Sequence, residues 1–179
     1  TIKVGLIGCG GRGTGAAQNV LESSENISVV ALADIFPDKV KKSREVLERS
    51  KDPGVKISDD WCYSGWDAYK RILESPIDYV MLCQPPGFRP PHFEAAIAAG
   101  KHVFAENPVA VDPVGVRKFI AAGELAKTKK LGVLPGTNGR HSMIQREAVQ
   151  RLHDGAIGEI IAGRIYFNTG YLWENARKE

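Results

Sequence analysis

Ile2-Lys3-Val4-Gly5-Leu6-Ile7-Gly8-Cys9-Gly10-Gly11-Arg12-Gly13 opens the chain and decides how the rest of the sequence reads. Residues Ile2–Ile7 are apolar apart from Lys3, the composition of a parallel strand covered on both faces. Gly8, Gly10 and Gly13 then supply the spacing G-x-G-x-x-G, and each glycine has its own task in a dinucleotide-binding turn. The first permits the sharp turn. The second leaves no Cβ between backbone and pyrophosphate, and the third lets helix and strand pack closely. A helix from about Gly11 presents unbonded N–H groups and a partial positive charge to phosphates. Taken alone, the motif also fits any strand–turn–helix, so its weight depends on the residues downstream of it.

Ala16, Ala17, Val20 and Leu21 share one face of a first helix ending near Ser23. Ile27-Ser28-Val29-Val30-Ala31-Leu32-Ala33 reads as a second strand, and it delivers Asp34 about 20 residues beyond Gly13, where the dinucleotide fingerprint places the acid that accepts from the adenosine ribose hydroxyls. Asp34 as a simple cap before the next helix is the competing reading, and the full order of strand, turn, helix, strand and acid favours the cofactor. Ile35 and Phe36 come next, with no arginine to receive a 2′-phosphate. The cofactor expected is therefore NAD, with Lys39 keeping NADP open.

The strand–helix rhythm continues. Pro37-Asp38 opens a helix to about Ser50, with a Glu45–Arg49 pair on its wet face, and Val55–Ile57 reads as a short strand. Trp61, Tyr63, Trp66 and Tyr69 suggest packing around a short helix, about Trp66–Glu74, more than a ligand cage. Ile77–Cys83 is another buried strand ending in Gln84-Pro85-Pro86-Gly87, a stiff loop at a strand's carboxyl end, where ligands bind in open parallel sheets. A helix from Pro90-Pro91 to Gly100 carries His92 in its first turn, as a helix-start cap or as an anchor of the cofactor loop. Lys101–Ala105 is a strand that brings Glu106-Asn107-Pro108 to the same edge. A helix after Asp112-Pro113 is expected to turn Val116, Phe119 and Ile120 to the core, and Leu131–Leu134 forms a sixth main strand. Beyond residue 137 the rhythm changes: a helix over about Met143–Asp154, a long strand over Ile160–Phe167, and a polar tail from Glu174 to Glu179. The fold class is α/β, a Rossmann-type doubly wound parallel sheet over residues 1–137, followed over 138–179 by the beginning of an α+β domain.

Composition narrows the function classes. The chain has 179 residues, 43% apolar and 25% charged, with a net charge of +3. The lysines and arginines are scattered and form no nucleic-acid stripe. The three cysteines, Cys9, Cys62 and Cys83, lie far apart without C-x-x-C and read as reduced thiols, with no metal site expected. No apolar run is long enough to span a bilayer. The compartment expected is cytoplasmic, although the start at Thr1 rather than Met leaves an export leader open.

On these residues the chain resembles the Gfo/Idh/MocA family of glucose–fructose oxidoreductases and inositol dehydrogenases. The carriers are Gly8–Gly13, Ala33-Asp34, Gln84-Pro85-Pro86 with His92, Ala99-Gly100-Lys101-His102-Val103, Glu106-Asn107-Pro108 and Gly155-Ala156-Ile157-Gly158-Glu159-Ile160, in the family's order and spacing. The resemblance implies a Rossmann domain followed by a sheet-rich domain that carries the substrate site and the homo-oligomer interface of the full-length protein. It implies hydride transfer between NAD(P) and a hydroxyl carbon of a sugar, cyclitol or related small molecule. It sets the pyrophosphate over Gly10, Gly11, Arg12 and Gly13, the adenosine ribose on Asp34 beside Ile35, and the nicotinamide half against Gln84, Pro85, Pro86 and His92. Glu106 matches the family's Glu near the nicotinamide ribose. Arg140 lies where members often carry a polar group close to cofactor or substrate.

One departure bears on catalysis. The family's E-K-P is Glu106-Asn107-Pro108 here, so a neutral amide stands where the resemblance implies a lysine that supports proton transfer. Either another residue takes that role, or the chain is a natural low-activity member, or the position was engineered. Two further readings stand beside the dehydrogenase: an enzyme that oxidises a sugar transiently to drive elimination or epimerisation, and a non-catalytic dinucleotide-binding protein.

Overall fold

A computed structural model describes residues 1–170. The chain divides into two units, Thr1–Thr137 and Asn138–Glu179. The first is a six-stranded, all-parallel sheet in the order β3-β2-β1-β4-β5-β6. Its strands are β1 (Ile2–Ile7), β2 (Ile27–Asp34), β3 (Cys62–Ser64), β4 (Tyr79–Leu82), β5 (His102–Ala105) and β6 (Val133–Pro135). Between them run α1 (Gly11–Glu22), α2 (Pro37–Arg49), α3 (Ala68–Glu74), α4 (Arg89–Ala98) and α5 (Pro113–Thr128). This is the doubly wound order of a Rossmann fold. Its strand sequence reverses between β1 and β4, and the loops leaving those two strands border the crevice where such sheets take ligands.

The two faces of the sheet have separate cores. Val4, Leu6, Val29, Leu32 and Met81 pack with Ala16, Ala17, Leu21, Val40 and Leu47 on the side of α1 and α2. Ile7, Val80, Leu82, Val103 and Ala105 pack with Ile72, Phe93, Ile97, Ala122 and Ala126 on the side of α3, α4 and α5. Burial on both faces explains why these strands read as apolar runs rather than alternating ones. Two helices start on proline, Pro37 in α2 and Pro113 in α5, where a missing N–H costs nothing. Asp112 caps α5 by accepting from the Gly115 N–H at 2.6 Å.

Three expectations are corrected. Val55–Ile57 is not a strand; Val55 makes only an isolated bridge to Val29, and the third strand is Cys62–Ser64, pairing Leu32–Asp34. Residues 54–58 run along the start of β2 and hand its edge on to β3. In α5, Val116 and Ile120 point to solvent, while Ala122 and Ala126 are buried and Phe119 stacks on Phe93 at 3.9 Å between ring centroids. The small alanines let α5 lie close to α4, and this decides which of its apolar faces is covered. Residues 160–167 form no strand: among the described residues no second strand offers them backbone partners, and a strand without a ladder leaves its amides unpaired.

The second unit holds α6 (Asn138–His141) and α7 (Met143–His153), the latter capped by Ser142, whose hydroxyl accepts from the Gln145 N–H. The expected polar tail from Glu174 lies outside the described residues. Among the described residues no helix is long and apolar enough to cross a membrane.

Candidate functional site

The glycine turn after β1 is closed on two sides and open on the third. Gly8 has φ +97°, and a Cβ there would lie 2.5 Å from the backbone nitrogen of Gln84. A Cβ on Gly13 would lie 1.8 Å from the carbonyl oxygen of Gly8. Both glycines are therefore demanded by backbone packed against backbone. Around Gly10 and Gly11, by contrast, an added Cβ meets nothing within 4 Å. Gly10 caps α1 with no side-chain bond, so the first amides of the helix face this open space without an intrahelical acceptor. A bare, positively polarised helix start in a cradle that only glycine keeps clear fits a diphosphate.

Asp34 ends β2 beside this turn. Its Oδ2 accepts from the Cys9 N–H at 2.7 Å and its Oδ1 from the Phe36 N–H at 3.0 Å. The carboxylate thus also fastens the turn, a role the ribose reading alone does not contain. A carboxylate has about four acceptor positions, and two stay available for hydroxyl groups. Ile35 is half-buried and Phe36 exposed beyond it. A groove of about 270 Å³ lies between α1 and α2 and is lined by Gly10, Gly11, Thr14, Lys39, Lys42 and Ser43. A larger hollow, about 360 Å³, lies against α5 and β6, remote from the glycine turn, with mostly apolar walls.

The loops after β4 and β5 form the other wall. Gln84 is buried, and among the described residues neither its Oε1 nor its Nε2 has a hydrogen-bond partner. Glu106 is joined to the glycine turn directly: Arg12 Nε donates to Glu106 Oε1 at 2.6 Å, with the arginine 59% and the glutamate 12% exposed. This ion pair closes the ring of strand ends from β1 to β5. Asn107 Nδ2 donates to the carbonyl oxygen of Gly136 at 2.6 Å, which ties the β5 loop to the end of β6. Its Oδ1 makes no hydrogen bond among the described residues.

His92 makes no helix-cap bond. Its ring stacks on Tyr69 at 4.0 Å and 14°, its Nδ1 has no partner among the described residues, and burial pushes its pKa down to about 4. It is a neutral packing group at the base of the β4 loop. The other aromatics do not converge on a cage: Tyr63 is buried and bonds to Ser75 at 2.8 Å, while Trp66 is exposed beside Phe88. Cys83, behind the turn, has its thiol pushed up to about 12, first by burial and then by the Glu106 charge, and burial likewise raises Cys9. Both are inert thiols at neutral pH. Arg140 belongs to α6 in the second unit.

Sequence reading missed one residue of this wall, Arg89. It is 3% exposed, and its guanidinium donates to the carbonyl oxygens of Gln84 and Pro108. Burial lowers its pKa. An arginine in the first turn of a helix normally reads as a wet cation. The only signal in the sequence is its setting, Phe88-Arg89-Pro90-Pro91, where stiff neighbours leave its backbone little choice.

The reversed strand order, the open glycine cradle and the acid ending β2 define a dinucleotide-binding Rossmann protein. Residues 2–136 match the Gfo/Idh/MocA family, described as an oxidoreductase family with an NAD-binding Rossmann fold, and the chain belongs to that family. Relatives include a glycosyl hydrolase family 109 protein of Porphyromonas gingivalis, 29% identical over 99% of this chain and 38% of its own length. An inositol 2-dehydrogenase of Paracoccus denitrificans is 29% identical over 70% of this chain and 34% of its own. The scyllo-inositol dehydrogenase of Lactobacillus casei, solved with NAD(H) and scyllo-inositol, superposes with a TM-score of 0.71 at 25% identity, over 89% of this chain and 43% of that one. The chain thus spans under half the length of these relatives.

Proposed function

We propose that the whole protein is an NAD-dependent oxidoreductase that moves a hydride between the nicotinamide and a hydroxyl-bearing carbon of a sugar or cyclitol. The observation that carries this reading is the cradle at Gly10 and Gly11, empty of side chains and facing the ring of strand ends fastened by Arg12 and Glu106. The bound cofactor supplies the hydride acceptor. In this proposal the amides at the start of α1 and Arg12 hold the diphosphate, and Asp34 takes the adenosine ribose beside Ile35. Gln84, Pro85 and Pro86 border the nicotinamide half, with His92 supporting their loop, and Glu106 takes the nicotinamide ribose. Asn107 orients a substrate hydroxyl through its amide oxygen. It cannot take the hydroxyl proton, so that proton leaves through another group, and Glu106 is the carboxylate on the same strand end. Residues 138–179 begin the domain for substrate and self-association, and Arg140 is that domain's candidate polar group for cofactor or substrate. The test is incubation of the full-length protein with NAD and a panel of sugars and cyclitols, following nicotinamide absorbance. Clear NAD binding with no reduction on any substrate sinks the dehydrogenase reading.

A second reading has its own support in the family 109 glycosyl hydrolase relative, which aligns along nearly the whole chain. Here oxidation is transient and drives cleavage of a glycoside. Its signature is product formed by tightly retained NAD with no net NADH.

A further inference from the structure

We propose that Arg89 is a positioning residue that staples the β4 and β5 loops into one wall and so sets the pocket for the nicotinamide half of the cofactor, an inference that rests on the NAD reading above. A charge 3% exposed is costly to bury, and among the described residues no carboxylate contacts this one. Its two hydrogen bonds go to the carbonyl oxygens of Gln84 and Pro108, one on each loop. Those loops leave adjacent parallel strands, and β4 and β5 pair only as far as Leu82 and Ala105. Beyond that point the ladder ends, and a single planar fork spans the gap. An ammonium on a flexible stem cannot reproduce that fork, because its donors radiate from one atom.

Glu106 is held by direct contact with Arg12 from the glycine turn, and its charge also acts on Arg89 through space. The buried amide of Gln84 has neither of its polar atoms satisfied, so the loop is held by its backbone carbonyl while its side chain is left without a partner in the wall. Fixing the backbone and leaving the side chain unpaired is the arrangement of a residue kept for a ligand.

This assignment separates the two halves of the cofactor. ADP carries the adenosine ribose and the diphosphate, which meet only Asp34 and the glycine turn. NADH adds the nicotinamide and its ribose, which meet the stapled loops. Wild type, R89M and R89K are titrated with ADP and with NADH, and their melting midpoints are recorded. R89M keeps the aliphatic packing and removes both bonds. We expect its ADP affinity to stay within about twofold of wild type while its NADH affinity falls about tenfold or more, the loss of a charge-assisted contact's worth of organisation. R89K, able to reach one carbonyl, falls between, and it carries the same comparison if R89M does not fold. Equal losses for ADP and NADH, or no loss for either, overturn the staple's role. Failure of wild type to bind NADH overturns the cofactor reading itself and is recognised separately.

Discussion

Gly13→Ala and Gly10→Val lie three residues apart and should fail in opposite ways. A Cβ at position 13 falls 1.8 Å from the Gly8 carbonyl oxygen, and real Cβ atoms essentially never come within 3.0 Å, so the first turn of α1 must retreat by the difference, 1.2 Å. The obstacle is backbone, with the Cys83 Cβ a further 3.2 Å contact behind it, so no side chain can swing aside. Overpacking of this kind costs about 1–3 kcal/mol, and a backbone obstacle puts this site at the upper end. Alanine's better helix propensity returns at most about 1 kcal/mol. The net loss should be about 2 kcal/mol, which for a chain of this size lowers the melting midpoint by about 4–8 °C. At position 10 the added side chain meets nothing within 4 Å, and φ −71°, ψ −178° suits a β-branched residue. Gly10→Val should therefore change stability by no more than about 0.5–1 kcal/mol. It should abolish NAD binding, because its methyl groups stand in the diphosphate cradle. Thermal unfolding by circular dichroism and NADH titration are run on both variants. A Gly13→Ala variant as stable as wild type refutes the packing argument. Wild-type NADH affinity in Gly10→Val refutes the cradle.

Three further outcomes are expected. Asp34→Ala removes the acceptor of the Cys9 and Phe36 amides as well as the proposed ribose contact, so it should cost about 1–3 kcal/mol of stability and about tenfold or more in NAD affinity by calorimetry; unchanged NAD affinity would remove Asp34 from the site. Burial holds His92 neutral in the folded chain down to about pH 4 against an ordinary 6.5, so the unfolded chain binds the proton first. Its contribution is complete above about pH 6.5 and is lost as pH falls toward 4, and His92→Phe, which keeps a ring on Tyr69, should erase about 1–2 kcal/mol of that slope in denaturant titrations; an identical slope in the variant contradicts the assignment. Asn107→Lys in the full-length protein should raise sugar or cyclitol oxidation about 10²-fold or more if the site is otherwise intact, and no gain means that the missing proton acceptor is not what limits the rate.

The glycine turn is legible in the sequence because each of its glycines answers to a geometric demand that spacing encodes. Gly8 and Gly13 are forced by backbone contact, and Gly10 borders open space in which an added Cβ meets nothing. Asp34 is legible in place but not in full, since spacing cannot reveal that it also fastens the turn through Cys9. The third strand is misread because Val55 and Ile57 look more like a strand than Cys62-Tyr63-Ser64, yet only the latter lie beside the end of β2. Helix α5 has apolar residues on more than one face, and periodicity cannot say which face α4 will cover. Residues 160–167 carry strand composition without a strand among the described residues to pair with. Arg89 stays hidden for a different reason: its partners are two backbone carbonyls in loops that only the fold brings together.

The central claim is that the glycine turn and the strand ends beside it hold a nicotinamide dinucleotide. The direct measurement is titration of the protein with NADH, followed by nicotinamide fluorescence, with ADP as competitor. Saturable one-to-one binding that ADP displaces is the expected result. No saturable binding, or binding indifferent to ADP, contradicts it.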